Sequence, residues 1–251
     1  MKVSIITVSY NAETTIEDTI LSVLEQNYPN IEYIVIDGDS KDATKNIIDK
    51  YRPKIHRVIS EPDNGVYHAM NKGLALANGD VVGILNADDT YSHRTVITKV
   101  VRFLQDKKLD SCYGDLQYVD RENPERIRRY WKSGSYRKTK FLYGWMPPHP
   151  AFFARRSLYE SFGNFNTELS TSADYELMLR FLYRHGASSG YIPEVMVKMK
   201  TGGQSNASYS NRLTANREDR KAWELNKLKH PFYTTYLKPI RKIAQYFGSK
   251  T

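Results

Sequence analysis

The chain has 251 residues, 40% of them hydrophobic, enough for one sizeable α/β domain with a short appendage, and global disorder is excluded. A net charge of +9 and a pI near 9.4 predict an anionic partner such as a nucleotide, a phosphate or an anionic surface. Cys112 is the only cysteine, which excludes an intramolecular disulfide and a cysteine-based zinc cluster and fits a reducing cytoplasm. No apolar run approaches the roughly 18 residues that span a bilayer.

The opening MKVSIITVSYNAE is broken by Ser4, Thr7 and Ser9, so it reads as a buried strand over 3–9 rather than a leader. Asn11 is placed to cap the next helix, which turns Ile16, Ile20, Val23 and Leu24 to one face and ends at Asn27 and Pro29. IEYIVI over 31–36 is a second strand. Ser40 is placed to cap a helix that carries Ile47, Ile48 and Tyr51 inward. A short third strand over 55–59 precedes a helix from Val66 with Ala69, Met70, Leu74 and Ala77 inside. DVVGILN over 80–86 is a fourth strand, and Val96, Ile97, Val100, Val101 and Leu104 mark a helix near 93–105. This βαβα alternation predicts a mostly parallel, Rossmann-like sheet with helices on both faces.

The second part is less regular. Strands are predicted at 109–119, 150–155 and 192–200, and a helix at 173–184. Residues 121–140 hold eight Lys/Arg against two Glu and read as a solvated loop. After Glu224 no acidic residue remains, and six Lys/Arg are mixed with aromatic residues. That extension suits either an anionic membrane surface or a helix docked on the domain.

Three predicted strands run directly into carboxylates: Asp37-Gly38-Asp39, Glu61-Pro62-Asp63, and Asn86-Ala87-Asp88-Asp89. Ligands of open parallel sheets bind outside the carboxyl ends of the strands. Convergent carboxylates repel one another unless a cation sits among them, and oxygen donors suit Mg²⁺ or Mn²⁺, which in turn hold phosphates. Asn and Asp are also ordinary turn residues, so a simple turn stands beside the metal reading at Asp88 and Asp89. Asp174 likewise suits a helix start as well as a catalytic base.

Five stretches in order, VSIITVSYNAETTIEDTILSVLEQNYPNIEYIVIDGDSKDAT, EPDNGVYHAMNKGLALANGDVVGILNADD, HPAFFARRSLY, ADYELMLR and GGQSN, resemble a family 2 glycosyltransferase of the GT-A fold over about residues 3 to 206. The resemblance implies that Thr7, Val8, Tyr10, Asp37, Asp39 and Asp88 serve the nucleotide. It implies that Asp88 and Asp89 serve a Mn²⁺ or Mg²⁺ ion, with Asp89 as the direct ligand. Asp174 matches the catalytic base, with Glu176 an alternative on another helix face. Asn64, His68, Asn71, Lys72, His149 and Gly203 are assigned to donor sugar, diphosphate or acceptor. Lys72 reads as a solvated residue ahead of a diphosphate contact, and only one of Arg155 and Arg156 is able to face the cleft. Asn86 and His68 stand where the family often carries Asp.

The expected organisation is a nucleotide-sugar half over 1–105, an acceptor and catalytic-base half over 106–206, and a basic aromatic extension over 207–251. The expected activity is inverting, metal-dependent transfer from a UDP-sugar or related donor to a glycan or lipid-linked acceptor. The setting is bacterial polysaccharide synthesis on the inner face of the cytoplasmic membrane. A sugar-nucleotide pyrophosphorylase is disfavoured because SYNAETT follows strand one without a glycine-rich basic loop. A non-catalytic carbohydrate- or nucleotide-binding domain is the other alternative. Nucleic-acid binding is not expected, since no zinc-finger, basic-zipper or RNA-platform signature occurs.

Overall fold

A computed structural model of the protein describes residues 1–202, 209–231 and 233–234. The first half alternates as its periodicity predicts: β1 (Val3–Ser9), α1 (Ile16–Leu24), β2 (Ile31–Asp37), α2 (Thr44–Tyr51), β3 (Arg57–Ser60), α3 (Val66–Leu76), β4 (Val81–Ile84), a short β5 (Asp89–Tyr91) and α4 (Val96–Lys107). The second half contributes β6 (Ser111–Val119), β7 (Ile127–Trp131), β8 (Phe152–Arg155), α5 (Arg156–Phe162), α6 (Ala173–Met178), β9 (Ser189–Lys200) and α7 (Tyr209–Leu225). Leu179–Arg184 continues α6 as a π-helix.

Among the described residues the nine strands form one sheet, in the order β3-β2-β1-β4-β8-β6-β9-β5 with β7 paired to β6. β3, β2, β1 and β4 are parallel; β8 enters antiparallel between β4 and β6. β5 is antiparallel to β9, with Asp89 opposite Met199, so the chain after β4 is tied to a strand from the far half. One sheet therefore runs through both halves.

Successive residues of a strand face opposite sides, and β1 shows the consequence. Ile6 and Val8 pack in the layer of α3 and α6, whereas Val3 and Ile5 pack in the layer of α1, α2 and α4. Cys112 is fully buried in that second layer, at the centre of the sheet.

Several local expectations are corrected. Asn11 and Ser40 cap no helix. Asn11 instead exchanges hydrogen bonds with the 40–41 turn, its N–H donating to Ser40 Oγ and its Oδ1 accepting from Lys41 N–H, each at 2.9 Å. The 121–140 segment is not one solvated loop: Ile127–Trp131 pairs with β6, and Arg129 lies over the Tyr118 ring. A further strand, β5, begins at Asp89, within the turn that the sequence predicts after β4. Of the extension, for which a membrane surface and docking on the domain are both expected, the described residues Tyr233 and Thr234 touch the domain: Tyr233 lies 5.9 Å from the Tyr143 ring and Thr234 Oγ1 donates to Leu142 O at 2.6 Å.

α3 lies unusually close to the sheet because Gly73 faces β1; a Cβ there would fall 2.4 Å from Ile6 Cγ2. Gly73→Ala is expected to push α3 outward and cost about 1–3 kcal/mol, read from urea unfolding. Glu32 ties β1, β2 and the 77–80 turn together, accepting from Lys2 Nζ (2.6 Å), Ser4 Oγ (2.6 Å) and Asn78 N–H (2.7 Å). Burial alone would raise its pKa, but these donors outweigh it and hold the carboxyl at about 2. A depressed carboxylate stabilises fully above its unfolded pKa and loses that contribution as pH falls through the folded one. Glu32→Gln should therefore cost about 1–3 kcal/mol at pH 7, with the gap to the wild type closing between about pH 4.5 and 2.

Candidate active site

The carboxylates at the strand ends do converge on one rim, but most of their charge is already answered by the protein. Asp37 is fully buried and accepts from Ser9 Oγ (3.2 Å), Ser40 N–H (3.0 Å), Ser40 Oγ and Ser60 Oγ (2.7 Å). It closes the ends of β1, β2 and β3 and does not face solvent. Asp39, at a φ of 61°, is bound by Lys41 and by Lys45 at 3.0 Å; the Lys41 ammonium chiefly lowers its pKa. Lys72 bridges Asp63 (2.6 Å) and Glu61 (2.7 Å), and Asp63 chiefly raises its pKa. Lys72 is thus neither free nor simply solvated.

The Asn86–Asp89 turn differs. Asp89 is fully enclosed, its backbone O accepting from Thr19 Oγ1 (2.8 Å) and its Oδ2 from Asn86 Nδ2 (3.3 Å). Burial, then the charge of Asp88, pushes its pKa well up. Asp88 is only partly buried, which raises its pKa, while Arg121 and Lys200 pull it back. Of the pair, Asp88 is the more exposed carboxylate, while Asp89, expected as the direct metal ligand, is enclosed behind it.

Among the described residues no three His, Cys, Asp or Glu side chains gather into a metal site. The Oδ1 atoms of Asn86 and Asp89 are nevertheless buried without a hydrogen-bond partner. With Asp88 they form a small set of hard oxygen donors. That suits a cation whose remaining ligands come from a diphosphate and water, as Mg²⁺ commonly takes them.

Lys200 and Arg121 were not singled out from the sequence. Lys200 ends β9 with its ammonium 2.5 Å from Asp18 Oδ2, and Arg121 donates to Thr14 Oγ1 at 3.2 Å. Both come from segments distant in sequence, and only the β5–β9 pairing brings Lys200 to the Asp88 turn.

Asp174 stands at the start of α6, half-buried, and Tyr67 Oη donates to its Oδ1 at 3.3 Å. Tyr67 comes from α3, so the two halves meet at this carboxylate. Tyr67 stacks on Phe165 at 5.6 Å, and the His149 ring meets Phe165 edge-on at 5.9 Å. His149 Nε2 is buried without a hydrogen-bond partner; burial lowers the ring's pKa against the opposing pull of Asp174. Glu176, the alternative base, is buried and bound to Arg180 at 2.8 Å, which leaves Asp174 as the open carboxylate of α6.

Other assigned residues take different places. Thr7 and Val8 both point into the core, Thr7 accepting from Tyr33 Oη at 3.1 Å, so neither side chain lines the cleft. Tyr10 is 56% exposed, beside Gly38 at the end of β1. Asn71 spends its whole amide on Phe165, donating to its O (2.9 Å) and accepting from its N–H (3.0 Å). It joins the halves rather than facing a substrate. Asn64 is exposed in the turn before α3 and His68 is half-buried on α3. Arg155 and Arg156 bind the carbonyls of Leu109 and Gly79, and neither faces the rim. Gly203 lies outside the described residues. Tyr67 was missed because an aromatic residue on a helix reads as core, and its hydroxyl partner lies 107 residues away.

The family model for glycosyl transferase family 2 matches residues 4–163. An uncharacterized glycosyltransferase of Mycobacterium tuberculosis is 34% identical over 180 residues, 71% of this chain and 68% of that protein. The putative teichuronic acid biosynthesis glycosyltransferase TuaG of Bacillus subtilis is 39% identical over 108 residues, 42% of each chain. Among solved structures, residues 1–349 of S. aureus TarS in complex with UDP-GlcNAc superpose with a TM-score of 0.74 at 18% identity, covering 100% of this chain and 74% of that one. The mannosyltransferase PcManGT of Pyrobaculum calidifontis, in complex with GDP-Man and Mn²⁺, superposes at 0.66 with 19% identity, covering 100% and 76%. The sheet order and the sequence match agree: this chain belongs to glycosyl transferase family 2 and is a glycosyltransferase of the GT-A fold.

Proposed function

We propose that the protein transfers a sugar, with inversion, from a nucleoside-diphosphate sugar to a hydroxyl of a glycan or lipid-linked acceptor in surface-polysaccharide assembly. The observation that carries this is Asp174: an open carboxylate at the meeting of the two halves, held by Tyr67 across from the strand-end rim. TarS in complex with UDP-GlcNAc and PcManGT in complex with GDP-Man support a sugar-nucleotide donor, and the teichuronic acid assignment of TuaG supports a surface-glycan setting. UDP is the favoured nucleotide.

In this reading Asp174 takes the proton of the acceptor hydroxyl as its oxygen attacks the anomeric carbon. The bond from that carbon to the diphosphate breaks, and the nucleoside diphosphate leaves with the electron pair. Tyr67 fixes the rotation of the Asp174 carboxylate, so its free oxygen meets the hydroxyl already oriented. Exposed Tyr10 offers its ring face to the nucleotide base. Asp88, with the orphaned oxygens of Asn86 and Asp89 behind it, would hold Mn²⁺ or Mg²⁺. When bound, that ion neutralises charge developing on the diphosphate. Arg121 and Lys200 add positive charge beside the same turn. The basic extension, beyond its docked start, would place the cleft near a lipid-linked acceptor.

Thermal unfolding with UDP or GDP, each with and without Mn²⁺, tests the donor site, since a ligand of the folded state raises the midpoint. One nucleotide should raise it in a Mn²⁺-dependent way, and Asp88→Asn should remove that shift. A full shift in Asp88→Asn would overturn the assignment of Asp88. For the base, Asp174→Asn should lower turnover about 10²–10⁴-fold, read as release of nucleoside diphosphate, with the melting temperature nearly unchanged. Wild-type turnover in that variant would exclude Asp174 as the base.

A further inference from the structure

α6 has only six residues before it passes into the π-helix, and its own N-cap is missing: the Ser172 side chain makes no capping hydrogen bond and instead donates to Ala215 O at 3.4 Å. A helix this short has little rigidity of its own. Yet Asp174 sits in its first turn, where a general base needs a fixed direction.

The residues just ahead of the helix are held by α7 instead. Glu218 accepts five hydrogen bonds from three consecutive residues just before Asp174. Its Oε1 takes Ser170 N–H (2.9 Å) and Ser170 Oγ (2.7 Å). Its Oε2 takes Thr171 N–H (2.8 Å), Thr171 Oγ1 (2.8 Å) and Ser172 N–H (2.9 Å). Burial would raise the Glu218 pKa, but the Ser170 and Thr171 donors outweigh it and hold the carboxyl below its ordinary value. On the other side of Asp174, Trp223 Nε1 donates to Tyr175 Oη and Asn226 Nδ2 to Glu176 Oε1, each at 2.9 Å. Asp174 is therefore bracketed in sequence, 170–172 before it and 175–176 after it, by α7 and the residue that follows it.

We propose that Glu218 is a positioning residue for the reaction: its carboxylate orders residues 170–172 and thereby sets the direction of Asp174. The proposal rests on the reading of Asp174 as the base. Three of the five partners are backbone N–H groups, which only donate, and an acceptor-only carboxylate meets them all. An amide in its place would turn an NH₂ toward one or two of those N–H donors, whichever way it were flipped. Glu218→Gln is therefore expected to behave like Glu218→Ala rather than to rescue it, which is the signature of a carboxylate clamp and not of mere bulk.

The test compares Glu218→Ala, Glu218→Gln and Asp174→Asn with the wild type in the full chain. Hydrogen exchange of the amides of residues 173–177 should be at least about tenfold faster in both Glu218 variants, because the segment opens locally. Turnover, read as nucleoside diphosphate release from the UDP- or GDP-sugar that the wild type cleaves, should fall about tenfold or more in kcat, with the donor KM within about twofold. Unchanged amide protection, or kcat of Glu218→Ala within about twofold of the wild type while Asp174→Asn is inactive, overturns the positioning role alone. Wild-type turnover in Asp174→Asn overturns the base assignment itself, and this proposal with it. A fall in kcat matched by loss of the nucleotide-induced melting shift means general damage and also overturns it.

Discussion

The reciprocal pair between the Asn71 amide and the Phe165 backbone is the contact on which the site depends. It joins α3, a helix of the first half, to the loop that leads into α6, and it does so with one donor and one acceptor on each side. Paired this way, the loop has one translational setting along α3. Tyr67, one helical turn earlier, then stacks on the same phenylalanine and reaches Asp174. The close seat of α3 on β1 at Gly73 sets where that whole arrangement stands relative to the strand ends. Asp174, on the short α6, is thus referred, through two side chains, to a strand of the sheet that is buried along its whole length.

Charge is handled by the same economy of placement. A rim of carboxylates argues for a cation, and that argument is sound in general. Here Lys41, Lys45 and Lys72 answer Asp39, Asp63 and Glu61, and hydroxyls answer Asp37. The case for a divalent ion therefore narrows to the Asn86–Asp89 turn, where buried oxygens remain without partners. The net positive charge of the chain is compatible with this, because cations at the rim both settle its carboxylates and favour an incoming diphosphate.

The parallel first half was legible because its strands are buried on both faces and its helices carry a clear apolar stripe; Val96, Ile97, Val100, Val101 and Leu104 all lie inside as their spacing requires. The second half was less so. β7 is an edge strand with Ile127 and Arg128 exposed, so its composition matches a loop. β5 is three residues long and owes its existence to pairing with β9, a partner more than a hundred residues away. Within the site, Asp174 stood out through its motif. Which of two adjacent aspartates faces outward was not legible, because that depends on how the turn is covered by β9. Thr7 and Val8 show the converse: adjacent strand residues face opposite layers, and in a sheet covered on both sides neither lines a cleft. Glu218 could not be found by pattern, since its partners are backbone groups of a distant segment.

Cys112 carries an experimental consequence. It is the sole thiol, it is enclosed at the centre of the sheet between β8 and β9, and burial pushes its pKa upward. Alkylating reagents attack the thiolate and need access to it. Local fraying of the rim, the turns or the extension leaves this sulfur covered; only opening of the sheet itself uncovers it. The rate of its modification under native conditions is therefore a built-in clock for global unfolding. The outer surface, meanwhile, stays silent to thiol chemistry, free to accept a single introduced cysteine as a reporter without competition from the native one.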